Sequence, residues 1–237
     1  MTGVLTVSDD PQERRSVMVA GVDDAGRGSV IGPLVIAGVL VRQEDLHVLR
    51  DLGVKDSKLL SAHRREALAV EIRKVSVNHH IVRLCPREID AVVHSGRKLH
   101  KLNYLEAQAM ARVLDALKPD KAYVDASDVL ERRFKAHILE CMSSKVDIVS
   151  EHKADRNYPV VSAASIIAKV ERDTEIAELA DKYGDFGSGY PSDQKTIDFL
   201  RRCCDETTGD YPDYVRKSWR PARKAKGEKG SKQATLM

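Results

Sequence analysis

An apolar run that ends at two adjacent acids is the feature that most constrains the fold of this chain. Val17–Val22 is short and rich in β-branched residues, and Asp23 and Asp24 follow it directly. Such a run is typical of a buried strand. A glycine-rich turn at 25–33 separates it from a second apolar run, Leu34–Val41. The pattern predicts a hairpin with an elaborate connection and with two carboxylates at one end of its first strand.

The rest of the chain alternates between strand-like and helix-like segments. Further strands are predicted at Ile81–Leu84, Ala122–Val124 and Val146–Val149. Apolar residues at helical spacing predict helices at Ser61–Lys74, after Pro86, at Asn103–Leu117, Val129–Met142 and Ser162–Tyr183, and from Asp193 to about Cys203. Strands first, then strands alternating with helices, indicate an α/β fold in which helices cover a mixed sheet.

Composition excludes several classes of protein. The 237 residues are 42% hydrophobic and 32% charged, which suits one large folded domain. No apolar stretch approaches the roughly 18 residues needed to cross a bilayer, and Met1–Arg15 is too polar for a signal peptide. The four cysteines show no metal-binding spacing and are expected to be reduced thiols. We therefore expect a soluble, cytoplasmic protein with no membrane role.

Basic residues are concentrated at the end of the chain. The net charge is only +3, yet eight Lys and Arg residues from Arg216 onward face one acid, Glu228. We predict a main domain at 1–215, with a helical C-terminal portion from about 162, followed by a mobile basic tail at 216–237. Such a tail suits a polyanionic partner, although a solvated tail without a partner explains the charge equally well.

Four aspartates follow predicted strands. Asp23 and Asp24 end the first strand, Asp125 ends another, and Asp155 lies between the strand Val146–Val149 and the long helix. If these strands are neighbours, the carboxylates converge and repel one another. Two divalent cations would balance that charge and could hold a phosphodiester between them. Taken singly, each aspartate is more typical of a turn or a helix cap.

The glycine turn lies against this predicted acidic site. Gly26, Arg27 and Gly28 follow Asp24 closely, and glycines allow a backbone to approach a ligand. No Gly-Lys-Ser/Thr follows, so the turn is not a phosphate loop, and its glycine spacing does not fit a dinucleotide fingerprint. A plain turn and a binding loop fit the spacing equally well.

Six segments resemble motifs of the ribonuclease HII (type 2 ribonuclease H) family, in its archaeal or eukaryotic form. They occur in the family's order and span roughly residues 17 to 200: Val22–Gly38, Lys55–Lys58, Tyr123–Asp125, His152–Asp155, Val160–Lys169 and Gly187–Pro191. The resemblance implies a ribonuclease H-like mixed sheet flanked by helices. It also implies hydrolysis of the phosphodiester 5′ of a ribonucleotide, in RNA/DNA hybrids and at single ribonucleotides in duplex DNA, leaving 3′-hydroxyl and 5′-phosphate ends.

The resemblance also assigns roles to residues. Two Mg²⁺ or Mn²⁺ ions would be held by Asp23, Asp24, Asp125 and Asp155. Contacts to the ribose 2′-hydroxyl, which distinguishes RNA from DNA, would come from Gly26, Arg27 and Gly28. Tyr190 would stack on the sugar of the following deoxynucleotide, and Lys58 would contact phosphate. His152 could assist a proton transfer, but a structural histidine fits its position better.

One position departs from the family pattern, which has Asp-Glu where this chain has Asp23-Asp24. Aspartate is one methylene shorter, so either the backbone moves to compensate or the site favours manganese over magnesium. Activity is expected in both cases. The alternatives are a ribonuclease H-fold DNA nuclease or resolvase, which would need no 2′-hydroxyl, and a hybrid-binding protein with weakened catalysis.

The end of the chain carries a fragment of a further motif. Gln233 and Leu236 resemble the start of a sliding-clamp-binding peptide, but no aromatic residue follows. We expect a monomer whose partners are RNA/DNA hybrids and ribonucleotide-containing duplex DNA, with a sliding clamp as a weaker candidate.

Overall fold

The structure, a computed structural model, describes residues 15–54, 60–94, 101–204 and 210–235, with side chains as far as residue 227. Five strands form one sheet in the order β3-β2-β1-β4-β5. Their bounds are Met18–Ala25 (β1), Leu34–Arg42 (β2), Asn78–Leu84 (β3), Lys121–Asp125 (β4) and Asp147–Glu151 (β5). The pairs β1–β2 and β2–β3 are antiparallel, whereas β1–β4 and β4–β5 are parallel. The predicted hairpin and the mixed α/β sheet are confirmed.

Six helices of the described chain follow the predicted segments with small shifts at their ends, whereas those at Leu46–Asp51, Ala154–Asn157 and Arg220–Thr235 were not predicted. Ser61 caps one helix by accepting a hydrogen bond from the Arg64 amide, and Asp193 caps another through the Lys195 amide. Pro159 opens the longest helix three residues before the predicted start, at a position where proline is tolerated. The helices are Leu46–Asp51 (α1), Ala62–Val75 (α2), Pro86–His94 (α3), Lys101–Leu117 (α4), Glu131–Cys141 (α5), Ala154–Asn157 (α6), Pro159–Tyr183 (α7), Gln194–Cys203 (α8) and Arg220–Thr235 (α9).

Apolar side chains from the two faces of the sheet form separate cores. One face packs on α3, α4 and α5, with Met110 and Phe134 fully buried there. The other face packs on α1, α2 and α7. A third cluster joins α8 and α9 to the β1–β2 connection through Ile31, Phe186 and Val215. The C-terminal helical portion is therefore anchored on the glycine-rich turn, next to the end of β1.

Regular structure continues beyond the tail boundary that the sequence predicts. Arg216 is buried, and α9 extends over residues that lack apolar periodicity. Its Ala222 and Ala225 pack in the third apolar cluster, whereas Arg223, Lys224 and Lys226 are exposed. Helix α9 therefore extends over part of the segment predicted as a mobile tail, and the mobility of that segment stays a prediction. Within the described residues, no helix is both long enough and apolar enough to span a membrane.

Gly21 sets the distance between the central strand and the longest helix. A Cβ atom placed on Gly21 would lie 2.3 Å from the carbonyl carbon and oxygen of Val160, in the first turn of α7. Backbone atoms cannot yield as the end of a side chain can, so the contact requires glycine. This close approach brings the start of α7 to β1 just before Asp23.

We expect Gly21→Ala to destabilise the protein by about 3 kcal/mol, because the added methyl group forces α7 away from the sheet. Chemical denaturation monitored by circular dichroism measures this change. Gly227→Ala is the matched control, since a Cβ there meets nothing within 4 Å and lies in α9. Alanine should stabilise that helix by up to about 1 kcal/mol. Equal effects of the two substitutions would contradict the close-approach argument.

Candidate active site

Two neighbouring parallel strands place three aspartates at one end of the sheet. Val22 of β1 lies beside Val124 of β4, so Asp23 and Asp24 leave one strand where Asp125 ends the other. Asp23 is 5% exposed, and Asp24 is half-buried. Both lie inside β1 rather than just after it, because β1 continues to Ala25.

The three carboxylates interact electrostatically. Burial, reinforced by the charges of Asp24 and Asp125, raises the pKa of Asp23 well above its ordinary value. Burial and the neighbouring Glu106 carboxylate do the same to the pKa of Asp24, which the charge of Arg27 partly offsets. Within the described residues neither Asp23 nor Asp24 forms an ion pair. The end of β1 therefore carries concentrated negative charge that Arg27 balances only in part.

Asp155 reaches this region through α6. The backbone amide of Ala154 donates a hydrogen bond to Asp125 Oδ1 at 2.8 Å, so Asp155 comes directly after a residue held by the β4 carboxylate. Asp155 is buried, and its backbone carbonyl accepts a hydrogen bond from the Ser162 hydroxyl of α7. Ser165, one turn further along α7, donates a hydrogen bond to Asp23. Helix α7 thus fixes both Asp155 and Asp23.

Glu106 is a residue of this site that our reading of the sequence missed. It lies on α4, its side chain is fully buried, and its Oε1 accepts a hydrogen bond from Ser127 Oγ at 2.6 Å. Its Oε2 forms an ion pair with Arg27 Nε at 2.9 Å. Glu106 also shares a hydrogen bond with Asp24. A fifth carboxylate therefore joins the acidic strand end to the glycine turn.

The chemistry of these donors fits divalent cations. Hard carboxylate oxygens are the ligands that Mg²⁺ and Mn²⁺ prefer, and buried carboxylates without a balancing cation gain most from binding one. In the part of the chain that the structure describes, no three His, Cys, Asp or Glu side chains are already arranged as a metal-binding group. Asp23, Asp24 and Asp125 are therefore neighbours whose side chains are not arranged as a closed set of ligands.

Two glycine-rich loops meet beside the carboxylates. The amides of Val30 and Ile31 both donate to the Gly189 carbonyl, at 2.8 and 3.2 Å. The first loop holds Gly26, Arg27 and Gly28, and the second leads directly into Tyr190. The structure therefore brings the predicted ribose contacts and the predicted sugar-stacking residue to one surface.

Tyr190 is held by a buried arginine. The guanidinium carbon of Arg172, on α7, lies 4.5 Å from the centre of the Tyr190 ring, a cation–π distance. Arg172 Nη2 also donates to the Ser188 carbonyl at 2.8 Å. Arg172 therefore supports both the ring and the loop that carries it.

Two further residues that the sequence analysis singled out are Lys58 and His152. Lys58 lies outside the described residues. The His152 amide donates to Glu131 Oε1 at 2.7 Å, and its ring Nδ1 lies 3.0 Å from the Ala126 carbonyl. These contacts tie the end of β5 to the segment that follows β4, which fits a structural role for His152.

Comparison with known proteins agrees with this geometry. A family model described as Ribonuclease HII matches residues 20–222. The ribonuclease HII of Pyrococcus horikoshii is 44% identical over 220 residues, which cover 92% of this chain and 97% of that protein.

Solved structures show the same fold. The crystal structure of ribonuclease H2 from Pyrococcus horikoshii OT3 matches with a TM-score of 0.81 and 44% identity, covering 90% of this chain and 98% of that one. The structure of a PCNA:RNase HII complex from Archaeoglobus fulgidus matches with a TM-score of 0.76 and 45% identity, covering 86% and 96% of the two chains. The matched family model, the archaeal relatives and the fold show that this chain belongs to the ribonuclease HII family of metal-dependent nucleases.

Proposed function

We propose that this protein hydrolyses the phosphodiester 5′ of ribonucleotides, both in RNA/DNA hybrids and at single ribonucleotides embedded in duplex DNA. The products would carry 3′-hydroxyl and 5′-phosphate ends. The observation that carries this proposal is the contact between the two glycine-rich loops, because it places a backbone surface suited to a sugar beside concentrated carboxylates.

The exposed part of the first loop can approach a ribose closely. Gly28 is exposed, and a Cβ atom built on it would meet no atom within 4 Å. Asp24 precedes this loop by only a few residues, so a sugar bound at Gly26–Gly28 has its phosphate near the acidic strand end. A 2′-hydroxyl is the group that such a site needs in order to separate RNA from DNA.

The aspartates supply the ligands for catalysis. Two divalent ions, when bound, would stabilise the attacking and leaving oxygens of the displacement. Asp23, Asp24, Asp125 and Asp155 would hold them, and Ser165 and the Ala154 amide would orient Asp23 and Asp125. Arg27 balances part of the remaining charge through its ion pair with Glu106.

Other surfaces of the chain suit a nucleic-acid partner. Tyr190 would stack on the sugar after the ribonucleotide, supported by Arg172. The exposed Arg223, Lys224 and Lys226 of α9 are suited to phosphates. Lys58 remains a proposed phosphate contact.

Clamp binding is a separate, weaker proposal. The Archaeoglobus fulgidus relative was solved in a complex with PCNA. In this chain the corresponding proposal depends on Gln233 and Leu236 alone, and residues 236 and 237 lie outside the described structure.

We expect a labelled DNA duplex with one ribonucleotide to be cut once, on the 5′ side of that ribonucleotide, when Mg²⁺ or Mn²⁺ is added. Asp125→Asn should lower the rate more than about 100-fold, because it removes a charged ligand. Gel electrophoresis measures both the position of the cut and its rate. An all-DNA duplex is the control: its cleavage would favour a DNA nuclease or resolvase. Binding without any cleavage would favour a hybrid-binding protein.

We expect Asp24→Glu to raise the ratio of Mg²⁺-supported to Mn²⁺-supported kcat/KM severalfold, because the added methylene lets the carboxylate reach further toward the ions. Cleavage of the same duplex at matched ion concentrations measures the ratio. Asp198→Glu, at a position on α8 where the side chain is 46% exposed, is the matched control. An unchanged ratio would mean that the backbone of β1 already compensates for the shorter side chain.

We expect Asp23→Asn to stabilise the metal-free protein at neutral pH by about 1 kcal/mol, or roughly 3 °C in Tm, because it removes a buried, repelled charge. Since the pKa of Asp23 is raised in the folded state, the wild-type protein should lose stability as the pH rises from the ordinary aspartate pKa through that raised value. The Asp23→Asn variant should lose less stability over the same pH range.

Thermal melting in chelator across this pH range measures the effect, with Asp198→Asn as the control. Added Mg²⁺ should raise the wild-type Tm more than that of Asp23→Asn. A wild-type Tm that rises with pH over the same range would contradict the assigned repulsion.

A further inference from the structure

Arg216 is a buried arginine directly behind the first glycine loop. Its side chain is fully buried, and it donates only to backbone carbonyls. Nη2 bonds to Gly26 at 2.8 Å and to Gly32 at 3.1 Å, Nη1 bonds to Arg27 at 2.9 Å, and Nε bonds to Gly32 at 3.2 Å. Three carbonyls of one short loop thus converge on a single guanidinium.

Further contacts fix this guanidinium relative to the loop. The Arg216 amide donates to the Val30 carbonyl at 2.8 Å, and the Gly32 amide donates to the Tyr214 carbonyl at 2.9 Å. The Trp219 ring centre lies 5.1 Å from the guanidinium carbon. Within the described residues Arg216 has no carboxylate partner in an ion pair. The loop carbonyls therefore meet this charge directly and offset part of the cost of burying it while they point inward, and the charges of Asp90 and Asp24 contribute as well.

Peptide geometry converts these contacts into an orientation for the loop amides. In a trans peptide the carbonyl and the following N–H point in opposite directions, and no peptide bond of the described chain is cis. Because the carbonyls of Gly26 and Arg27 point to Arg216, the amides of Arg27 and Gly28 point away from it. Neither amide donates a hydrogen bond within the described structure. Gly28 is exposed and has open space around its Cα.

We propose that Arg216 is a positioning residue for ribose recognition, which holds two peptide planes so that the Arg27 and Gly28 amides face the substrate sugar. This inference rests on the proposed function. The rigid fork of a guanidinium can meet three carbonyls at once, whereas a lysine ammonium is a point charge on a flexible stem. Arg216 therefore acts through the loop and does not itself touch the substrate.

The test compares Arg216→Lys with the wild-type protein on two DNA duplexes that differ by one 2′-hydroxyl. Affinities are measured by fluorescence anisotropy with Mg²⁺, and for this assay every protein also carries Asp125→Asn, which prevents cleavage. The value of kcat/KM is measured on proteins that keep Asp125. We expect Arg216→Lys to reduce the preference for the ribonucleotide duplex about tenfold. Affinity for the all-DNA duplex should stay within about twofold, because the charge and the phosphate contacts remain.

Arg42→Lys is the matched control. Arg42 ends β2 and pairs with Asp45 at 3.6 Å, at the end of the strand opposite to the glycine loop. This substitution removes the same type of side chain from an ion pair and should leave the ribose preference unchanged. Circular dichroism and thermal melting show whether each variant is folded.

The possible outcomes separate the two proposals. A wild-type protein that fails to cut the ribonucleotide duplex overturns the proposed function. A cutting wild-type protein and a folded Arg216→Lys variant with an unchanged ribose preference overturn the role of Arg216 alone. If Arg216→Lys does not fold, the NMR signals of the Arg27 and Gly28 amides in the Asp125→Asn protein test the inference instead. If these amide signals change their chemical shifts on binding the ribonucleotide duplex but not on binding the all-DNA duplex, the inference is supported. Equal changes with both duplexes overturn it.

Discussion

Helix α7 touches the central strand at Gly21, where the absence of a side chain lets the Val160 backbone approach β1. The site depends on this contact because α7 carries Ser165, which bonds to Asp23, and Ser162, which holds the backbone of Asp155. Further along the same helix, Arg172 supports Tyr190. One close helix–strand contact thus sets the positions of Asp23 on β1, of Asp155 on α6 and of the ring expected to meet the substrate.

The negative charge gathered at this end of the sheet works against stability. Asp23 and Asp24 are repelled by their neighbours, and burial deprives them of water. Glu106 adds to this repulsion at Asp24, although Arg27 and Ser127 bind its two oxygens. Arg27 belongs to the glycine loop, so the residue that balances one carboxylate also fixes part of the surface proposed for recognition. Charge balance and the proposed substrate binding are therefore coupled through a single side chain.

Much of the fold follows from local sequence patterns, whereas parts of the site do not. Strand β1 and its adjacent acids are visible because β-branched residues and the following aspartates occur in one short segment. Glu106 left a signal that could have been used: it lies three and seven residues before the buried Ala109 and Val113, within the apolar face of α4. A glutamate on such a face needs buried partners. Those partners, Arg27 and Ser127, are distant in sequence, so periodicity alone cannot identify them.

Arg216 shows a different limit of prediction from the sequence. By composition it is the first of eight basic residues in a tail, but the structure buries it against carbonyls nearly 190 positions earlier in the chain. Because the partners of Arg216 are backbone carbonyls and not carboxylates, its burial has a chemical consequence. A free arginine beside Asp23 and Asp24 would neutralise the charge that we propose attracts divalent ions to the site. A guanidinium whose donors are committed to Gly26, Arg27 and Gly32 stabilises the loop and leaves the carboxylates available. The burial of Arg216 therefore allows a positive charge near the acidic site without competition for its ligands.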